Sequence, residues 1–136
     1  MRLFGSVRWV AVVFALIVAG CGTLSGGKRD SQFQIQMLAF ENAIRWGEFR
    51  AADRFRKREA GASDTDFARF EGIRVSSYEV LSTAPGRDEN QVIRTVRIGY
   101  YRESNPGVRT LIQQQSWEYD PEREVWQLAG PLPEFR

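Results

Sequence analysis

The segment QVIRTVRIGYYRESNPGVRTLIQQQSWEYDPEREVWQLA, residues 91–129, decides the fold. It alternates runs rich in β-branched and aromatic residues with loops that contain Pro, a pattern typical of strands joined by tight turns. Together with the similar run that precedes it, it predicts four strands, over residues 73–81, 91–102, 108–119 and 124–129. The last two loops, residues 104–107 and 120–123, are short enough to join antiparallel neighbours, so we expect a four-stranded antiparallel meander.

The loops also predict which residues face each other. If Tyr119 pairs with Glu124 across the last loop, Trp117 lies opposite Trp126. If Glu103 pairs with Val108 across the loop before it, Arg94 lies opposite Trp117. One face then carries the aromatic and aliphatic residues with three long polar ones: Val92, Arg94, Val96, Ile98, Tyr100, Leu111, Gln113, Gln115, Trp117, Tyr119, Trp126 and Leu128. The other face is polar, and a slip by one residue would exchange the two faces.

A helical pattern precedes the strands, over residues 32–59. An apolar stripe at helical spacing is expected to face the core: Phe33, Met37, Phe40, Ile44, Ala51 and Phe55. Gly47 interrupts the stretch, and a second apolar set lies on the opposite side: Ile35, Leu38, Trp46 and Phe49. We predict two short helices broken near Gly47, or one kinked helix covered on two sides. One more helical turn, residues 64–70, is expected with Ser63 or Asp64 as its cap.

Helices followed by a meander make an α+β domain, with the helices packed on the aromatic face of the sheet. We expect this domain to span residues 32–136 as a single unit. The preceding stretch, residues 22–31 (GTLSGGKRDS), is small, polar and rich in Gly, and is predicted to be a flexible tether.

The first 20 residues have the three parts of a secretory signal. Arg2 and Arg8 form the positive region, and residues 9–19 (WVAVVFALIVA) form an apolar run. The run has 11 residues, well short of the roughly 20 that span a bilayer as a helix. Small residues then lead into Cys21. An uncleaved signal anchor is the alternative interpretation of this leader.

The end of the leader, Val18-Ala19-Gly20-Cys21, resembles the lipobox of bacterial lipoproteins. That resemblance implies cleavage between Gly20 and Cys21, transfer of a diacylglycerol to the Cys21 thiol, and acylation of the new amino terminus, with palmitate as the expected label. Gly22 stands where an inner-membrane retention signal has Asp, which implies the outer membrane, facing the periplasm. The inner membrane is the alternative address.

Composition excludes several classes of chemistry. The chain has no His and a single Cys, which excludes Ser-His-Asp and Cys-His catalysis, internal disulfides, and His-ligated or multi-thiolate metal sites. Arg2 and Arg8 account for the whole net charge of +2, because the remaining 17 basic residues balance the 17 acidic ones. The body therefore lacks the positive surface that nucleic acid requires, and we predict no nucleic acid, metal or cofactor.

Two short motifs invite a ligand interpretation. Asp64-Thr65-Asp66 resembles the start of a calcium loop, but the later Gly and Glu of that loop are at the wrong offsets, so a turn with a helix cap is expected. The basic run at residues 54–58 (RFRKR) spreads its four cations around a helix, which favours a solvated helix end.

A second resemblance covers residues 32–129. The Trp46-Gly47-Glu48-Phe49-x-x-Ala52 step and a meander ending in Trp117-x-Tyr119 and Val125-Trp126-x-Leu128 are similar to the nuclear-transport-factor-2-like or cystatin-like superfamily. The resemblance implies a curved, cone-like sheet wrapped around helices. Enzymes of that superfamily commonly use a His-Asp pair in the cone, so a chain without His is expected to bind or assemble rather than catalyse.

The aromatic face contains the candidate site: Arg94, Tyr100, Gln113, Gln115, Trp117, Tyr119 and Trp126. These residues form either plain core or an aromatic-walled cleft whose polar groups are Arg94, Gln113 and Gln115. Three function classes follow. We favour a non-catalytic outer-membrane lipoprotein that binds an envelope protein or assembles with it. A small-ligand binder that uses the cone interior and a carboxylate-based enzyme are the alternatives.

Overall fold

A computed structural model of the chain describes residues 24–136, so the predicted signal peptide, the Gly20–Cys21 cleavage site and lipidated Cys21 lie outside the described residues. The elements are α1 (Leu24–Arg45), α2 (Phe49–Asp53), a 3-10 helix (Phe67–Phe70), β1 (Ile73–Pro85), β2 (Gln91–Arg102), β3 (Asn105–Asp120) and β4 (Val125–Ala129). The strands form one open antiparallel sheet in the order β1-β2-β3-β4, which confirms the predicted α+β meander.

The predicted break at Gly47 is confirmed. Gly47 has a φ of +71°, a left-handed conformation that costs an L side chain energy but not glycine. The amide of Glu48 donates to the carbonyl of Ala43 at 2.8 Å, and the amide of Gly47 donates to that of Ile44 at 3.1 Å. These two bonds form the Schellman motif that ends a helix and re-aims the chain into α2.

Helix α1 begins earlier than the sequence predicts. Residues 24–31, expected to be irregular tether, are helical, and the Ser31 hydroxyl donates to the Gly27 carbonyl one turn back at 2.9 Å. Extending an already nucleated helix gains one backbone hydrogen bond per residue, although Gly26 and Gly27 each cost about 1 kcal/mol relative to Ala. Residues Gln32–Arg136 form one compact unit, and the packing described below lies within it.

The short helix before β1 is also shifted. It spans Phe67–Phe70 rather than residues 64–70, and its cap is Asp66, not Ser63 or Asp64. The Asp66 carboxylate accepts from the amide of Ala68 at 3.0 Å, so the predicted capping role belongs to the last residue of the Asp-Thr-Asp motif.

Both hairpin registers differ from the prediction by two residues. Arg94 lies opposite Gln115 rather than Trp117, because β3 begins at Asn105 and the preceding turn contains only two residues. Trp117 lies opposite Leu128 rather than Trp126, because β4 begins at Val125. Side chains alternate with a period of two, so a shift of two residues leaves every side chain on its predicted face.

The predicted cover of the aromatic face is confirmed. Phe33, Met37, Phe40 and Ile44 of α1 are all buried. Rings of this stripe meet rings of the sheet edge to face, with centroid distances of 4.9 Å for Phe33–Trp126 and 5.0 Å for Phe40–Trp117. The core therefore lies between α1 and one face of the meander.

The carboxyl-terminal segment, residues 131–136, closes the remaining end of this face. Leu132 is fully buried, and the Phe135 ring lies 4.8 Å from that of Tyr100. The Tyr100 hydroxyl donates to the carbonyl of Arg136 at 2.7 Å, and Arg109 donates to the same oxygen at 2.6 Å. The segment has no helix or strand, and through Leu132 and Phe135 it forms part of the core.

Candidate functional site

The structure brings four of the seven predicted site residues together in a buried polar cluster: Arg94, Gln113, Gln115 and Trp117. Arg94 and Gln115 face each other across β2 and β3 and are 7% and 1% exposed. The Gln115 side-chain oxygen accepts from the Trp117 indole at 3.3 Å, and its amide donates to the Tyr78 hydroxyl at 3.2 Å. Gln113 borders this cluster, because its side-chain oxygen lies 3.4 Å from the Gln115 amide.

The other predicted residues lie apart from this cluster. Tyr100 is held by the carboxyl-terminal segment at one end of the face. Tyr119 and Trp126 are neighbours at the opposite end, on β3 and β4, with centroids 5.3 Å apart. The predicted set is therefore spread along the whole face rather than gathered in one site.

Tyr78 belongs to the cluster and is absent from the sequence-based set. It is 4% exposed, and burial raises the pKa of its hydroxyl even though Gln115 and the nearby Arg94 charge oppose that shift. The ladder of β1 is irregular between Val75 and Ser77, which shifts the alternation along the strand. Two successive serines mark this place, but nothing in the sequence distinguishes them from an ordinary turn or strand.

Arg94 has an unusual environment for a cation. Its Nη1 atom is buried, and no described residue offers it a hydrogen bond. A buried N–H donor that lacks a hydrogen bond is costly, so this atom is the one position in the cluster that is left for an anion among the described residues.

A groove lies between α1, the chain from Ala51 to Phe55 and strand β4. It has a volume of about 430 Å³. Apolar side chains make up about half of its lining: Ala39, Ala43, Ala51, Phe55, Val125 and Trp126. The groove therefore offers a partner a surface that is part apolar and part polar.

Two arginines stand at this groove. Arg54 and Arg123 line it, both are exposed, and neither forms an ion pair within the described part of the chain. Glu48 contributes the only acidic side chain to the lining. The indole N–H of Trp126, whose residue is 4% exposed, has no hydrogen-bond partner among residues 24–136. The groove thus combines two cations and one carboxylate with an apolar floor.

The edge of β4 beside the groove is protected. The backbone amide of Trp126 donates to the Gln36 side chain at 2.8 Å, and the amide of Leu128 donates to the carbonyl of Phe55 at 2.7 Å. These bonds satisfy the outward-facing donors of the edge strand. A partner in the groove would therefore contact side chains rather than extend the sheet.

The sequence predicts that the basic run at residues 54–58 is a solvated helix end, and this prediction is wrong for most of the run. Arg56 and Arg58 both donate to the Asp53 carboxylate, and Lys57 pairs with Glu118 of β3 at 2.7 Å. Of the four basic residues in the run, Arg54 lines the groove.

Asp53 is the other buried charge, at 4% exposed. Burial alone would raise its pKa, but hydrogen bonds from Thr65 at 2.5 Å and from Arg56 at 3.3 Å, together with the Arg58 charge, lower it below its usual value. The carboxylate is therefore held ionised with its oxygens already engaged. Such an arrangement suits a structural ion cluster that ties α2 to the loop before the 3-10 helix, and not a general base.

No three His, Cys, Asp or Glu side chains within residues 24–136 are grouped as metal ligands. No helix in the same part of the chain combines the length and the apolarity that crossing a membrane requires.

Comparisons of the chain with protein-family models, with curated proteins and with solved structures give no match.

Proposed function

We propose that this protein is a lipoprotein of the bacterial outer membrane, facing the periplasm, that acts as a non-catalytic binding or assembly module of the cell envelope. The observation that carries the proposal is Val18-Ala19-Gly20-Cys21, placed directly after an 11-residue apolar run. Two or more acyl chains on Cys21 would hold the domain stably on a membrane, since each buried methylene contributes about 0.8 kcal/mol.

The groove supports the binding half of this proposal. Arg54 and Arg123 carry uncompensated charge beside the apolar floor formed with Phe55 and Trp126. This combination fits a segment of an envelope protein that presents an acidic residue next to an apolar one, because the carboxylate is attracted to the arginines while the apolar group is removed from water.

Metabolic labelling tests the anchor. Palmitate is expected to label the wild-type chain and not Cys21→Ser, and the mature protein is expected to begin at Cys21. After separation of the membranes by density, the labelled protein should travel with the outer membrane. Equal labelling of both chains, or a mature protein that keeps Met1, would contradict the proposal.

Cross-linking in the envelope tests the partner. A photoreactive amino acid at Gln127, which lines the groove, is expected to capture a specific protein, and the same amino acid at Ile112, exposed on the outer face of β3, is not. Charge reversal at the groove (Arg54→Glu with Arg123→Glu) should abolish the capture, whereas Arg87→Glu on the β1–β2 loop is the matched control that should preserve it. A capture that survives the groove reversal would exclude the groove as the binding surface.

The unpaired Nη1 of Arg94 favours one alternative, a domain that binds a small anionic ligand inside the cone. Mass spectrometry of the protein purified from the envelope distinguishes the two functions. A small acid that copurifies in stoichiometric amount would favour the ligand binder, and a stable protein partner without it would favour assembly.

A further inference from the structure

Helix α1 carries apolar residues on two opposite faces. The inner stripe, Phe33, Met37, Phe40 and Ile44, is buried against the sheet. An outer stripe consists of Ile35 and Leu38 of α1 and Trp46, the residue directly after the helix, and these side chains are 68%, 59% and 79% exposed. At 100° per residue the three outer residues fall within an arc of about 80° on the side away from the sheet. Cover on both sides of this helix was one of the two alternatives that the sequence left open, and within the described part of the chain the outer side has none.

We infer that the outer stripe of α1 rests on the surface of the lipid bilayer to which Cys21 is attached, so that the domain lies on the membrane with α1 toward the lipid. This inference rests on the proposed lipid anchor. Beyond the anchor, the inference specifies an orientation of the domain and a second, weaker membrane contact.

The distance along the chain from Cys21 to Ile35 is 14 residues. Even fully extended, a segment of that length spans at most roughly 50 Å. A stripe tethered this closely meets the bilayer at a high effective concentration, so a contact too weak to bind a free protein becomes occupied in an anchored one. Three apolar side chains are enough to orient the domain, because they do not have to supply its attachment.

The chemistry of the stripe fits the membrane interface. Trp is enriched at the headgroup level, where its ring is buried and its N–H stays hydrated, while Ile and Leu insert into the acyl boundary. Between Ser31 and Trp46 the only acidic residue is Glu41, which pairs with Arg45 at 2.9 Å. No unpaired negative charge on this stretch of helix therefore opposes an anionic membrane.

The outer face of the sheet offers a competing surface, where Val108 and Ile112 of β3 are 68% and 60% exposed. It lies on the opposite side of the sheet from α1, so both surfaces cannot rest on one bilayer. Among the described residues this surface contains no Trp. These two residues provide the matched control for the test.

The fluorescence of Trp46 gives a direct test with the mature lipidated chain, purified in detergent and reconstituted into vesicles of phosphatidylethanolamine and phosphatidylglycerol. Trp46 is the exposed tryptophan of the described residues, whereas Trp117 and Trp126 are buried. Bromine on the acyl chains is expected to quench the Trp46 emission, and the vesicles are expected to protect it from acrylamide. The quenched component should be missing from Trp46→Phe.

Two double variants and a flotation assay separate the possible outcomes. Ile35→Ser with Leu38→Ser should abolish the lipid quenching of Trp46, and Val108→Ser with Ile112→Ser should leave it intact. A chain that floats with the vesicles but shows no lipid quenching overturns the inference and leaves the anchor standing. A wild-type chain that fails to float overturns the anchor and the inference with it. Protection from acrylamide without lipid quenching would show that a second copy or another protein covers the stripe, which also overturns the inference.

Discussion

The Phe40 ring of α1 meets the Trp117 indole of β3 edge to face, with 5.0 Å between ring centroids and neither side chain exposed to solvent. This contact joins α1 to β3, and the Phe55 ring lies 5.8 Å from that of Phe40 and 6.5 Å from that of Trp117. Helix, sheet and the segment after α2 therefore share one aromatic cluster.

Phe40→Ala is expected to lower the free energy of unfolding by about 3–5 kcal/mol, since it removes a ring from a filled site and leaves a cavity. Urea denaturation followed by circular dichroism measures the change. Leu38→Ala, two residues away on the exposed side of the same helix, is the control and should alter stability by less than about 0.5 kcal/mol. Similar losses in the two variants would mean that α1 does not pack as described.

The second prediction concerns Gly47, the residue at which α1 ends. Gly47 ends α1 with a φ of +71°, and a methyl group there would meet little besides the Phe49 ring at 3.9 Å. The cost of Gly47→Ala is therefore conformational rather than steric, and we expect a loss of about 1 kcal/mol. Gly107→Ala should be close to neutral by the same thermal or urea measurement, because its nearest contact is ordinary at 3.5 Å and its φ is not positive.

How much of this fold the sequence predicts depends on what each pattern measures. The alternation along β2 and β3 assigned Ile98 and Trp117 to the buried face correctly, although both registers were wrong by two residues. Alternation reports only the parity of a position, so a shift of two residues is invisible to it. The turn between Arg102 and Asn105 was misplaced because Pro106 and Gly107 resemble a loop and are in fact the start of a strand.

The buried charges were beyond the reach of sequence patterns for another reason. Asp53 is satisfied by Thr65, 12 residues away, and by Arg56 and Arg58, whose spacing suggested only a charged helix end. Tyr78 reaches Gln115 across 37 residues, through a strand whose irregular ladder breaks the period. The outer stripe is the opposite case. The helical periodicity identifies it, but periodicity does not indicate whether other residues cover it.

The Asp53 cluster predicts a dependence on pH. The folded pKa of Asp53 lies below its unfolded value, so its contribution to stability is fully present above the unfolded pKa of about 3.9 and is lost as pH falls through the folded pKa. Asp53→Asn should therefore cost about 2–4 kcal/mol at pH 7, with the difference from wild type shrinking as the pH falls below about 4. Unfolding by urea at a series of pH values checks this. Glu122→Gln, on the exposed β3–β4 loop, is the control that should show no such trend.

Arg94 and Gln115 give the last prediction, because they are neighbours on one buried face and should respond in opposite ways. Gln115 bonds to Tyr78 and Trp117, so Gln115→Leu leaves two buried partners unsatisfied and is expected to cost about 1–3 kcal/mol. Arg94 Nη1 has no hydrogen bond to lose within the described residues, so Arg94→Met, which keeps the length of the side chain, should hold or raise the free energy of unfolding. If Arg94→Met is instead destabilised only in the protein as purified from the envelope, and equals wild type after refolding from denaturant, a bound anion was lost with the guanidinium. That outcome would favour the ligand-binding cone over the assembly module, because a ligand stabilises only the folded state that binds it.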